Sequence, residues 1–336
     1  MREQSSLVEA GVRRYGRFAA RPASVNPLDA YKGVSRALRR LRLKEWIGFT
    51  LIHPDWYSSL VMQDANYLAS SEIYIFDRAN GKLYQHSANA RGGSLALPEK
   101  LAGASPRFAK DGYLIEYEFS GDGKRHRIRL DISATPKAPA FTGELELHGD
   151  RASAPLSVSA RLPGGNLYTH KALFPAEGVL HVGDQDIVFD PARDLTIIDE
   201  HKSFFPYRTN WLWGTIATQA GARPVGANFA TRKTSTGEEE ESCIWTPQAC
   251  EPLSEITFTI ASASPRSPWR IASADGRLGV TFEPGGLKDV RHQLGLFSID
   301  YFQLFGHYRG TLRGVDGTSY PVDAVHGVCE SFRARL

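Results

Sequence analysis

Cysteine is scarce in this 336-residue chain: Cys243, Cys250 and Cys329 are the only three, and no two have CxxC spacing. So small and odd a set argues against a disulfide framework or a cysteine zinc site and fits free thiols in a reducing compartment. Long apolar runs are missing too. The richest, WIGFTLI from Trp46 to Ile52, falls far short of the ~20 residues a membrane-spanning helix needs. The opening MREQSSLVEAGVRRYGRF has neither an apolar stretch nor a small-residue cleavage site, so the expectation is a cytoplasmic protein. There is no GxxxxGK[ST], no GxGxxG between a strand and a helix, no GxSxG elbow, and no HExxH or HxH pair. Asp199, His201, His170 and His307 offer metal-ligand atoms, but their spacing matches no metal signature. The expectation is therefore no metal, no cofactor and no nucleic-acid partner.

What the chain does have is material for a core. Hydrophobic residues make up 42% and charged residues 23%, with 17 Phe, 13 Tyr and 6 Trp, which places it in the globular class. The net charge of +3 is unevenly spread: residues 1–44 carry 11 Lys+Arg and 3 Asp+Glu, a local +8 that leaves −5 for the rest. Asn26-Pro27 reads as a helix start leading into LDAYKGVSRALRRLRLK. Leu28, Tyr31, Ser35, Leu38 and Leu41/Arg42 follow a three-to-four spacing, with Arg36, Arg39, Arg40 and Lys44 on the remaining surface. The expectation is a helix docked by Leu28, Leu38 and Leu41. The other reading is a weak contact of this basic helix with an anionic membrane surface.

From Lys44 onward the punctuation is that of hairpins. Alternating runs flank Asn80-Gly81, Asp122-Gly123, Asp275-Gly276 and Asp316-Gly317, dipeptides that tolerate the positive φ of tight hairpin turns. Helical periodicity is nearly absent after residue 44. This predicts an all-β chain of two antiparallel barrels preceded by a short helix. The turn-rich LPGGN, Leu162–Asn166, suggests the division: residues 1–43 an arm and helix, 44–164 a first barrel, 165–336 a second barrel that carries the site.

Polar and aromatic residues concentrate in YTHKALFPAEG (168–178), IIDEHKSFFPYRTNWLWGTIATQ (197–219), GANFATRK (226–233) and IDYFQLFGHYRG (299–310). Strand alternation puts Tyr168 with His170, Asp199 with His201 and Trp211 with Trp213, each pair on one face, with Glu200 and Lys202 opposite Asp199. If the Trp pair faces the barrel interior, it walls a ligand cavity in which an Asp would have its pKa raised by desolvation and could serve as a general acid. Asp199 is the candidate acid, with His201 or His170 as proton partner. Trp211, Trp213, Tyr207, Asn228, Tyr301, Gln303, Phe305 and His307 are the candidate ligand contacts.

At these residues the chain resembles a bacterial family, domain of unknown function 2804. The marks are Lys171 in YTHKALFPAEG, the Asp199 segment followed by Pro206 and Trp211-x-Trp213, then Gly226, Asn228 and the GLFSIDYFQLFGHYRG run. The resemblance covers most of the chain and is strongest from Tyr168 to Gly310. That family is in turn similar to the lipocalin-like group of carotenoid 1,2-hydratase, AttH-like proteins and some pericyclic cyclases, which implies two lipocalin-like (calycin) barrels. In the hydratases an Asp shortly before the Trp-x-Trp element is the proposed proton donor to an alkene; the matching residue is Asp199. Ile197 stands where that group has an aromatic residue, and Leu212 where it often has an acidic one. The reading is a cofactor-free enzyme binding an apolar or aromatic small molecule for hydration, isomerisation or cyclisation. The alternative is a lipocalin-like carrier that leaves its ligand unchanged.

Overall fold

The hairpin dipeptides fall where the alternation ends. Gly81, Gly123, Gly276 and Gly317 all adopt positive φ, between 63° and 84°, and each closes a two-strand turn because only glycine enters that region at no steric cost. The computed structural model describes residues 5–232, 234–262, 264–295 and 297–335; Lys233 at the end of GANFATRK, Leu296 in the GLFSIDYFQLFGHYRG run and the terminal Leu336 lie outside them. Strands make up 61% of the chain and helix 5%, and the strands form two barrel-like sheets, one nearly closed and one a half barrel. Among the described residues no helix is long and apolar enough to cross a membrane.

The chain divides into two compact units. The first comprises Met1–Ser159 and Leu167–Phe204, the second Ala160–Asn166 and Phe205–Leu336. The Pro163-Gly164 turn joins two strands, Leu156–Leu162 and Gly165–Val182, that pair with one another, and the short segment Ala160–Asn166 around it is counted with the second unit while the chain on either side belongs to the first. The chain passes to the second unit for the rest of its length at Phe204-Phe205-Pro206, where proline lacks the N–H to continue a ladder.

In the first unit the strand order runs Lys82–Arg91, Leu68–Asp77, Trp56–Asp64, Lys44–Ile52, Leu195–Ser203, Gly165–Val182, Phe141–His148, Arg125–Ile132, Tyr113–Phe119, Arg107–Lys110. Its core is built from one face of these strands, with Ile47, Phe49, Leu60, Ile73, Ile115, Ile128, Leu145, Ala172 and Ile198 packed together. In the second unit the order is Cys250–Pro252, Cys243–Trp245, Arg223–Ala230, Arg208–Ala220, Ser319–Arg335, Phe297–Arg313, Leu278–Leu294, Trp269–Ser273, Ile256–Ile260. Ile216, Ala227, Phe229, Trp269, Phe282, Leu304, Tyr308 and Cys329 form its core. Gly214 is required there: a Cβ would lie 2.4 Å from the Phe229 ring and 2.7 Å from the Tyr308 hydroxyl.

The N-terminal helix differs from expectation in extent and in orientation. Pro27–Ala30 is a single 3-10 turn, Tyr31 and Lys32 are extended, and the α-helix spans Gly33–Arg42. Asn26 does not cap it. Its amide instead accepts from Val8 N (3.0 Å) and donates to Asp29 (2.6 Å), tying down the segment before the turn. Leu38 and Leu41, expected to dock on the fold, are 62% and 55% exposed.

Candidate functional site

Three neighbouring strands of the first unit set the geometry around Asp199. Register places Trp46, His201 and Thr169 in one cross-strand row and Gly48, Asp199 and Lys171 in the next. Rows two residues apart share a face, and this face is the one opposite Ile47, Phe49, Ile198 and Ala172 of the core. Here Lys171 Nζ donates to Asp199 Oδ1, the Trp46 indole N–H donates to Oδ2 at 3.2 Å, and His201 Nε2 lies 3.3 Å from Oδ1. The His201 and Trp46 rings stack at 4.1 Å between centroids, with 25° between their planes. Gly48, beside Asp199, leaves no room for a side chain, since a Cβ would meet Leu60 O at 2.8 Å.

This arrangement overturns the expected state of Asp199. Burial alone would raise its pKa, but the Lys171 ammonium and then His201 outweigh that and hold the carboxyl well below the usual carboxylate range. Asp199 is an anion, not a neutral acid. Its side chain remains one-third exposed, whereas Lys171 and His201 are almost fully covered.

His170 is not its proton partner. It sits opposite Glu200, on the other face of the ladder from Asp199 and His201. On that face Glu200 is fully buried and gripped by Arg21 through two parallel bonds, Nε to Oε2 at 2.6 Å and Nη2 to Oε1 at 2.7 Å. Two residues along, buried Lys202 Nζ donates to Glu45 at 2.5 Å and to Leu97 O at 3.0 Å. Burial pushes His170 down to about 4, with Arg21 and Lys171 adding to the shift and Glu200 and Asp199 opposing it. Its Nδ1 is buried without a hydrogen-bond partner. His170 is a neutral ring in the protein interior.

The remaining expected residues belong to the second unit, as do the strands that carry them. Trp211 and Trp213 do not face the core. Leu212, Gly214 and Ile216 take that side, and the tryptophans lie on the opposite face with Tyr301, Gln303, Phe305 and His307. Three donors converge there on one carboxylate: Trp211 Nε1 reaches Glu330 Oε1 at 2.9 Å, while Tyr301 Oη and Gln303 Nε2 reach Oε2 at 3.1 and 3.2 Å. Trp211 is sandwiched between Phe332, stacked at 4.0 Å, and the Arg232 guanidinium at 4.2 Å. Asn228, fully buried, is already engaged: its Oδ1 accepts from Trp213 Nε1 at 2.8 Å and its Nδ2 donates to Glu241 O at 2.7 Å. Phe305 is buried, His307 lies 5.6 Å from the His326 ring, and Tyr207 is exposed.

Asp199 and His201 thus belong to the first unit, and the tryptophans with their neighbours to the second. Sequence reasoning missed Trp46 and Glu330 outright, assigned Lys171 no role, and missed Lys288. Lys288 is buried against the Tyr301 ring at 5.8 Å, and desolvation lowers it to about 8 despite the opposing pull of Glu330. For Lys171 the signal was present, because a lone Lys in the apolar run THKALF needs an anion opposite it. Glu146, His148 and Glu177 bring ligand atoms within 4.8 Å of one another, but none was a predicted site residue and Arg125 holds Glu146 at 2.9 Å.

Residues 2–336 match the family described as Domain of unknown function (DUF2804). No curated protein matches the chain. Among solved structures, CghA with Sch210972 is similar over 88% of each chain at 11% identity and a TM-score of 0.54. Kievitone hydratase from Nectria haematococca is similar over 96% of this chain and 98% of its own, at 11% identity and a TM-score of 0.50. A putative AttH from Nitrosomonas europaea covers 92% and 96% at 16% identity, with a TM-score of 0.48. At these identities the likeness is one of fold.

Proposed function

Because the chain belongs to this DUF2804 family, whose description names no activity, we propose from the geometry that it is a cofactor-free, cytoplasmic acid/base enzyme acting on an apolar or aromatic small molecule. The observation that supports this is the Lys171–Asp199–His201–Trp46 cluster. Ionisable groups placed on the sheet face away from the core, with one edge of the carboxylate open, do nothing for the packing of that core. A proton for the substrate has to come from Lys171 or His201, with Asp199 the fixed anion that orients both and would stabilise positive charge developing on a carbon skeleton. Hydration, isomerisation and cyclisation all need such a proton, and kievitone hydratase uses a similar fold.

One observation favours the alternative of a carrier: Asp199 is already neutralised by Lys171. The test is to incubate the protein in heavy water with small-molecule extract from its native host and analyse the products by mass spectrometry. The enzyme reading expects a compound that acquires deuterium on carbon with the wild type. With Asp199→Asn it should stay bound while its conversion falls at least ~100-fold. A ligand that co-purifies but never acquires label would establish the carrier. Equal turnover in Asp199→Asn would remove Asp199 from the mechanism.

A further inference from the structure

The helix Gly33–Arg42 is mounted with its apolar stripe outward. Val34, Ala37, Leu38 and Leu41 follow the i, i+3, i+4, i+7 spacing of one helix face, and none of the ten residues is buried. Val34 is 78% exposed, more than either leucine. What holds the helix is its basic side: Arg36 bonds Asp29 at 2.8 Å, the Arg39 guanidinium lies 5.0 Å above the Tyr31 ring, and Arg40 Nε bonds Asn66 at 3.2 Å. A soluble protein normally docks an amphipathic helix the other way round.

The exposed stripe is not isolated. The Asn66 that anchors Arg40 precedes Tyr67 and Leu68, 54% and 48% exposed, and Lys44 Nζ lies 4.7 Å over the Tyr67 ring. Val34, Leu38, Leu41, Tyr67 and Leu68 are five of the ten large apolar side chains so exposed among the described residues, and such gathering marks an interaction surface. Lys32, Arg40, Arg42 and Lys44 flank it, with no acidic residue from Ala30 to Lys44. Beside Arg40 and Leu41 opens a groove of about 480 Å³ that Arg91 and Ser94 also line.

We propose that this face docks on an anionic lipid surface, the apolar stripe entering the boundary between headgroups and acyl chains and the flanking cations meeting lipid phosphates. Charge complementarity selects this occupant over a second copy, whose equally basic rim would repel. One face of a helix only about 15 Å long and about 10 Å across offers far less than the ~800 Å² per partner of a stable protein interface.

The full-length protein should float with phosphatidylcholine vesicles that contain phosphatidylglycerol and not with phosphatidylcholine alone, and high salt should release it. L38S/L41S and, separately, R42E should each lower the bound fraction at least ~10-fold. The replaced side chains are exposed, so an unchanged melting temperature is expected and confirms intact folding. The proposal is overturned if the wild type ignores anionic vesicles or if L38S/L41S binds them equally. A dimer in light scattering that L38S/L41S dissociates would assign the face to a second copy instead.

Discussion

Acid should weaken the first unit through His170. In the unfolded chain this ring takes a proton near 6.5; folded, it resists until about 4, chiefly because burial strips it of water. Between those values the unfolded state binds more protons, so the stabilising effect is complete above pH 6.5 and is lost as the pH falls through the window. Each pH unit is worth about 1.4 kcal/mol, giving roughly 3 kcal/mol over the whole window and about 2 kcal/mol by pH 5. For a unit of this size that is a fall of ~4–8 °C in melting temperature. The assay compares thermal unfolding of wild type and His170→Gln at pH 7.5 and pH 5. Other groups titrate in both proteins, so only the difference between the two pH dependences counts. The wild type should lose ~4–8 °C more than the variant; parallel losses would refute the assignment of a neutral buried ring.

Other perturbations test the remaining contacts. Arg21→Met strands the fully buried Glu200 carboxylate and should cost ~3–5 kcal/mol, much of it recovered in Arg21→Met/Glu200→Met, as read by thermal melting. Asn228→Ala removes the acceptor of the Trp213 indole and the donor to Glu241 O; a loss of ~1–3 kcal/mol is expected, with a changed tryptophan emission maximum. Gly214→Ala drives a methyl against Phe229 and Tyr308 and should destabilise the second unit by ~1–3 kcal/mol. Unchanged melting of that variant would mean the two rings yield freely.

The β architecture was legible because its signals are local. A glycine dipeptide between alternating runs specifies a hairpin with no knowledge of the rest of the chain, and alternation separates Asp199 and His201 from Glu200 and Lys202. The direction in which a face points was not legible. Trp211-x-Trp213 and Leu212 are all apolar, and only the register of Gly214 against Phe229 and Tyr308 decides that the leucine side is internal. The same ambiguity reversed the helix, whose stripe can be read from spacing while its partner cannot. The ionisation of Asp199 depended on Lys171, 28 residues away and brought opposite by strand pairing. LPGGN marks a reversal whose flanks, up to Ser159 and from Leu167, both belong to the first unit, and a turn signal carries no information on the later passage after Phe204.

The first unit is closed by a strand made long after the strand it completes. Lys44–Ile52 takes Leu195–Ser203 as its neighbour, and Glu45 meets Lys202 across 157 residues of sequence. At ~5–20 residues per second the ribosome needs roughly 8–30 s to supply that partner. Through that interval the Ile47, Phe49 and Leu51 side of the early strand and its open backbone edge await their cover, a period when chaperone capture competes with aggregation. A chain cut short just before Leu195 would leave that edge permanently open, so termination there should yield insoluble product even though the unit's other strands have been made.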